Sequence, residues 1–339
     1  MSDAHLLANL RGTLRHDEPM AKHVSWRAGG RAKTFFQPAS VADLCLFLRT
    51  RPAAEPVLFV GLGSNLLVRD GGFDGSVVFT HHALTGIQIV GSDPTPDPIP
   101  DPIPGVPGVA RDVGSDPIRS NVGSDPIRPT FRAGAGVPTP HLARFAAKHG
   151  AGGGEWMAGV PGTIGGALAM NAGCYGGETW NHVIAVETVD RAGNLRLRRP
   201  TDYSIGYRHV ALVEGGDEWF VSGVFVFERG DEAASMARMR ALLSKRVASQ
   251  PLGQPNAGSV FRNPPGDHAA RLIESCGLKG FAIGGAQVSP KHANFIVNLG
   301  GATAADIESL VDHVQAVVHD RTGVDLVREV RIVGTGGDR

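Results

Sequence analysis

Residue types able to do chemistry gather in four stretches of the chain. Gly61-Leu62-Gly63-Ser64-Asn65 follows directly on a short apolar segment. Gly159-Val160-Pro161-Gly162-Thr163-Ile164-Gly165-Gly166-Ala167 runs on into Met170-Asn171-Ala172-Gly173. Glycines at this density let main-chain N–H groups approach a ligand closely, and consecutive N–H groups form anion-binding nests suited to a pyrophosphate. The plain alternatives are a tight turn for the first stretch and core packing for the second. The first also lacks the third glycine of the GxGxxG fingerprint and is followed by LLVRDGG rather than a helix, and the chain has no GxxxxGK[ST] phosphate loop. Two such loops favour a nucleotide cofactor held by main chain rather than by a motif lysine.

The third stretch, Asn256-Ala257-Gly258-Ser259-Val260-Phe261-Arg262-Asn263-Pro264-Pro265, places one serine after a glycine. It is not a nucleophile elbow, because Ala257 stands where GxSxG needs glycine. On its own such a serine reads as a turn residue. The fourth is Arg328-Glu329-Val330-Arg331, where strand alternation puts Glu329 on one face with Asp325, Val327 and Arg331. A carboxylate there can simply pair with an arginine. No metal site is expected: there is no HExxH, the three cysteines are far apart, and His81-His82 stand unsupported.

The elements that must position these residues read as mixed α and β. Ser40 is an N-cap for a helix carrying Leu44, Phe47 and Leu48, and Val57–Val60 and Ser76–Thr80 read as strands. Thr139–His149 is helical and stops at Gly150. Val183–Asp190 and Leu195–Arg198 form a hairpin, Trp219–Glu228 is a strand, and Asp231–Ser249 a helix. Further on come a helix over Ala270–Cys276, a strand Phe295–Asn298, and a long helix capped by Thr303 with Ile307, Leu310, Val311, Val314 and Val318 on one face. A final strand spans Asp325–Val333.

At 339 residues the chain is long enough for two or three domains. Lys+Arg and Asp+Glu both number 33, which leaves no basic surplus for nucleic acid or an anionic membrane. The first residues lack an apolar leader core and no apolar run reaches a bilayer-spanning length of about 18, so a soluble cytoplasmic protein is expected. One segment stands apart. Residues 91–129 hold 10 of the 23 prolines and no aromatic residue, and VGSDPIR occurs at Val113 and again at Val122. That composition offers little apolar surface against the entropy of ordering, which predicts a disordered insertion.

Taken in order, six stretches resemble the UDP-N-acetylenolpyruvoylglucosamine reductase family. They are GLGSNLL at 61–67, GVPGTIGGALAMNAGCYGGE at 159–178, GYR at 206–208, QPLGQPNAGSVFRNPPG at 250–266, GLKGFAIGGAQVSPKHANFIVN at 277–298, and REVRIVG at 328–334. The resemblance implies an α+β fold: an FAD-binding domain of the vanillyl-alcohol-oxidase (PCMH) type in two subdomains, over 1–90 and 130–230, then a C-terminal α/β substrate-binding domain over 231–339. It implies tightly bound, non-covalent FAD, NADPH as hydride donor, and a UDP-sugar substrate whose enolpyruvyl ether is reduced to UDP-N-acetylmuramate in peptidoglycan precursor synthesis. A monomer without nucleic-acid or membrane partners is expected.

Carried over residue by residue, the catalytic set is Arg208, Ser259 and Glu329. Hydride arriving at the enolpyruvyl β-carbon leaves negative charge at the α-carbon, delocalised into the carboxylate. Arg208 would hold that carboxylate, Glu329 would complete the polar contacts, and Ser259 would deliver the quenching proton. FAD pyrophosphate contacts would come from Gly61, Gly63, Ser64 and Asn65 and from Val160, Pro161, Gly162, Thr163 and Gly166. The sequence departs from the family pattern where Val210 replaces a usual serine and Cys174 a usual alanine. The 70-residue interval from Ser259 to Glu329 and a linker helix without tyrosine match the shorter subtype. The alternatives are another flavoprotein oxidoreductase of this fold, or a flavin-binding protein without turnover.

Overall fold

The computed structural model describes residues 9–90 and 128–337. Two sheets and a helical C-terminal unit carry the chain. The first sheet holds β1 (Thr13–Pro19), β2 (Arg31–Gln37), β3 (Val57–Val60) and β5 (Phe73–Phe79), in the order β1-β2-β5-β3. β1 runs antiparallel to β2, whereas β5 is parallel to both β2 and β3. The α1 helix (Val41–Arg49) crosses from β2 to β3 and buries Leu44, Phe47 and Leu48. Its Asp43 N–H donates to Ser40 Oγ at 3.1 Å, the cap expected from the sequence. The short strand β4 (Leu66–Val68) lies outside this sheet.

The second sheet has β6 (Ile87–Val90) and β7 (Thr130–Gly134) at one edge, then β12 (Glu218–Val226), β8 (Val183–Asp190) and β9 (Leu195–Arg198). The break between the sheets therefore falls before Ile87, not at residue 90, because β6 pairs antiparallel with β7 and not with the first sheet. Val90 sits opposite Thr130, so the chain leaves and re-enters at one point. The disordered insertion expected over 91–129 lies, apart from Arg128 and Pro129, outside the described residues. Helices α2 (Thr139–Lys148) and α3 (Ile164–Met170) pack on the core of this sheet, and β10 (Tyr203–Gly206) and β11 (His209–Leu212) form a separate two-stranded hairpin.

The helix α4 (Glu232–Ser249) packs on the second-sheet core through Met236 and Met239, so the C-terminal unit expected from residue 231 begins only after it, with α5 (Ala269–Ser275) as its first helix. A meander follows of β13 (Ala282–Ile283), β14 (Ala286–Val288) and β15 (Ile296–Asn298), and then α6 (Ala304–Thr322). The α6 face of Ile307, Leu310, Val311, Val314 and Val318 is buried among Leu272, Ile273, Val288 and Ile296. The same cluster takes in Trp26 and Leu67 from the first half of the chain. Trp26 Nε1 donates to Ile296 O at 2.8 Å, and Asn298 Nδ2 donates back to Trp26 O at 2.9 Å. Asp70 adds a second cap to α6 beside the Thr303–Asp306 capping box, accepting from the N–H groups of Ala304 and Ala305 at 2.9 and 2.8 Å.

The chain closes with β16 (Arg331–Val333), which runs parallel to β4 with Arg331 opposite Leu66. The sequence reading extended this strand back to Asp325. Over 325–330 there is instead only a single bridge, between Arg328 and Phe261, because the neighbour available there is the irregular Val260–Arg262 segment rather than a strand. The burial still alternates as expected, with Asp325, Val327 and Arg331 exposed, Glu329 half-buried, and Leu326 and Val330 buried.

Candidate active site

Arg208 sits at the tip of the β10–β11 hairpin. Gly206 pairs with His209, which leaves Tyr207-Arg208 as a two-residue turn. Arg208 has φ +55°, in the left-handed region that glycine adopts freely and arginine resists. Its guanidinium points back into the protein. Nε donates to Glu329 Oε1 at 2.6 Å, Nη2 to Gly173 O at 3.0 Å and Nη1 to Asn171 O at 3.4 Å. Both charged side chains are mostly buried, at 16% and 14% exposure, so little solvent screens the pair. Val210, standing where the family pattern has serine, packs against the second-sheet core and contributes no hydroxyl. Two main-chain carbonyls and Arg262 support Arg208 instead.

Three segments cross at Glu329. Its N–H donates to Val260 O at 2.8 Å, and its own carbonyl accepts from Asn65 Nδ2 at 3.0 Å. Arg331 N–H then donates to Asn65 O at 3.0 Å. The first glycine loop, the Ser259–Arg262 segment and the C-terminal chain are thus laced together by main chain around one carboxylate. Ser259 is adjacent to Val260 in this lacing, half-buried, and follows Gly258 at φ +75°. Arg208 and Glu329 are in direct contact, and Ser259 directly precedes Val260, whose carbonyl accepts from Glu329 N–H.

The two glycine stretches face each other across 97 residues of sequence, with Ser64 Oγ donating to Pro161 O. A side chain at Gly61 would collide with Thr163, so packing of the two loops requires this glycine. Gly162 and Gly166 are different. A Cβ on Gly162 would meet its nearest neighbour, Ser64 Oγ, only at 3.5 Å, and one on Gly166 would be 4.0 Å from Thr163 Oγ1. Neighbouring protein atoms do not force these two positions, and the room they leave is of the kind a phosphate-bearing ligand fills. Thr163 Oγ1 is buried there without a hydrogen-bond partner among the described residues. An orphan hydroxyl beside unforced glycines fits a pyrophosphate cradle.

Next to Ser64 and Pro161 opens a cleft of about 340 Å³ whose lining includes Arg27, Arg246, Gln254, Asn256 and Gly258. Two arginines and no carboxylate among its described lining residues make it a place for an anion. Burial pulls the Arg246 guanidinium below its ordinary pKa, while Nη1 and Nε are held by Gly159 O at 2.7 Å and Gln250 Oε1 at 2.8 Å. Sequence reasoning passed over Arg27, Arg246, Asn171 and Arg262. Of these, Arg262 and Asn171 lay inside quoted motifs and could have been weighed there. The tyrosine-free α4 helix is contacted by Tyr175, whose hydroxyl donates to Leu242 O at 3.2 Å. Burial pushes the neighbouring Cys174 thiol up to about 11, which keeps it protonated and inert at neutral pH.

Residues 118–197 match the model of an FAD binding domain, and residues 250–333 match that of the UDP-N-acetylenolpyruvoylglucosamine reductase C-terminal domain. A reductase of that name from Thiobacillus denitrificans is 54% identical over 96% of this chain and 93% of its own. The chain belongs to the UDP-N-acetylenolpyruvoylglucosamine reductase family. Family members from Nitrosospira multiformis and Legionella pneumophila are 50% and 45% identical over 97% and 98% of this chain, and over 90% and 96% of their own lengths. The crystal structure of the Thermus caldophilus reductase superposes with a TM-score of 0.68 at 27% identity, covering 95% of this chain and 98% of that one. The reductase fold is thus the expected α+β arrangement of a flavin-binding domain and a family-specific C-terminal domain.

Proposed function

We propose that this chain reduces the enolpyruvyl ether of a UDP-N-acetylglucosamine substrate to UDP-N-acetylmuramate, with NADPH as reductant and FAD as carrier, in peptidoglycan precursor synthesis. The observation that carries the reading is the contact of Arg208 with Glu329 beside the Asn65 loop, within a reductase-family chain. Bound FAD supplies the two-electron chemistry, accepting hydride from NADPH and returning it to the substrate. Gly61, Gly63, Ser64, Asn65, Val160, Pro161, Gly162, Thr163 and Gly166 are the residues that would hold its pyrophosphate.

The rest is work for the protein's own side chains. Arg208, with a fixed planar fork, grips the substrate carboxylate and stabilises the enolate charge that accumulates on it. Glu329 holds the fork in place from its Nε side. Ser259 Oγ gives its proton to the α-carbon as the enolate collapses, and its location on the segment laced to Glu329 supports that role. The chain after α4 forms the substrate-binding unit in this reading, and the enzyme acts as a cytoplasmic monomer. No helix among the described residues is long and apolar enough to cross a membrane.

The test is a two-step anaerobic titration of the purified protein. NADPH bleaches the flavin absorbance, and the UDP-linked enolpyruvyl sugar then restores it stoichiometrically. A flavin that NADPH bleaches but this substrate leaves reduced contradicts the proposal.

A further inference from the structure

Two carbonyls at the Arg208 turn, one just before it and one in it, are gripped from outside the hairpin. Gly206 O accepts from Asn171 Nδ2 at 3.1 Å, and Arg208 O accepts from Arg262 Nη2 at 3.2 Å. The hairpin has little of its own to hold a left-handed arginine. It is a two-stranded ribbon, marginal by itself, with Ile205 and Tyr207 exposed. Asn171 is 1% exposed and fully used: its amide also donates to Glu178 Oε2 at 3.0 Å and its Oδ1 accepts from Trp180 N–H at 3.1 Å. Arg262 is the opposite case. Among the described residues its bond to Arg208 O is the one its guanidinium makes, no carboxylate pairs with it, and its buried Nε is unpaired. A guanidinium taken part-way out of water for one main-chain contact is a poor structural cross-link. Its place is informative, however. Arg262 N–H donates to Val327 O at 2.8 Å, and the neighbouring Phe261 bridges Arg328, so Arg262 stands where the Ser259–Glu329 layer meets the Arg208 turn.

We infer that Arg262 is a positioning residue for Arg208: together with Asn171 it clamps the turn in its unfavourable conformation, so that the Arg208 guanidinium stays aimed at the site where the substrate carboxylate lands. The inference rests on the proposed function, and wild-type flavin reoxidation by the enolpyruvyl substrate is therefore measured first. If wild type is not reoxidised, the functional reading fails and the clamp is not at issue.

With that reaction in hand, a double-mutant cycle separates positioning from other roles. Arg262→Met keeps the apolar stem and removes the donor. It is expected to bind FAD normally, to be reduced by NADPH within about twofold of wild type, and to be reoxidised about tenfold more slowly at saturating substrate, since small misplacements of a carboxylate ligand cost rates of that order. In an Arg208→Lys background, where the aimed fork is already gone, the same change slows reoxidation less than about twofold. Arg262→Lys, which retains a cationic donor, recovers most of the loss. Equal losses in both backgrounds would show that Arg262 acts independently of Arg208. A raised half-saturating substrate concentration with an unchanged limiting rate would show direct substrate binding. Either result overturns the assignment. Should Arg262→Met lose its flavin, the same cycle with Arg262→Gln, of similar stem and with an amide donor, reads the same coupling.

Discussion

Arg208 Nε lies 2.6 Å from Glu329 Oε1, joining a hairpin turn to the C-terminal chain 121 residues away. A carboxylate at that distance orders the guanidinium and keeps one of its edges occupied. The bidentate geometry of a guanidinium is what a lysine cannot reproduce.

Glu329→Gln retains an acceptor but removes the charge. It is expected to leave FAD content unchanged and to slow reoxidation of the reduced flavin by the enolpyruvyl substrate by roughly 10²-fold, the order seen on losing one preorganised electrostatic contact. Arg208→Lys should be similarly poor in that half-reaction alone. Rapid-mixing absorbance at the flavin band checks both, and near-normal turnover in Arg208→Lys would argue against the grip.

Val90 and Thr130 are directly paired neighbours on adjacent strands. Whatever joins them must return to its starting point, and loop-closure cost grows only by about 0.6 kcal/mol per doubling of length. Replacing residues 92–128 by a short Gly/Ser turn is therefore expected to preserve FAD content, turnover and Tm within a few degrees. Calorimetry and flavin absorbance test this; loss of flavin would assign the repeat a structural role.

Glu155 is buried at the start of the Glu155–Gly159 turn. Burial pushes its carboxyl up, but hydrogen bonds from Ser235 Oγ at 2.7 Å and Arg238 Nη2 at 2.6 Å outweigh that and leave its pKa below the ordinary 4.5. A depressed folded-state pKa means stability that is present above the unfolded value and lost as pH falls through the folded one. Glu155→Gln should lower Tm at pH 7, and the gap to wild type should close as pH drops below about 4. A gap that stays constant across that range would contradict the assignment.

What could be read without the structure was whatever local physics dictates. Ser40 and Thr303 as caps, the Val57–Val60 strand, and the Val183–Asp190/Leu195–Arg198 hairpin all stand where side-chain chemistry put them. The β10–β11 hairpin gave no such signal, because its turn holds arginine at a conformation that normally announces itself as glycine. Residues 325–330 looked like strand because alternation assumes a continuous partner, and there the partner is one bridge and the Asn65 amide. The family motifs named Arg208, Ser259 and Glu329, but not how they are held. Asn171, Arg262 and the Asp70 cap act at sequence separations of 35, 54 and 234, beyond any local pattern.

The central claim, that a flavin reduced by NADPH is discharged into an enolpyruvyl ether with Ser259 as proton donor, is tested most directly by following the two half-reactions of wild type and Ser259→Ala in an anaerobic stopped-flow. A residue acting only in the second transition state affects only that step. The account predicts that bleaching by NADPH proceeds within about twofold of wild type in the variant, while recovery of flavin absorbance on adding substrate slows by roughly 10²-fold or more, the scale of a lost general acid. Equal slowing of both steps, or recovery at the wild-type rate, would contradict it.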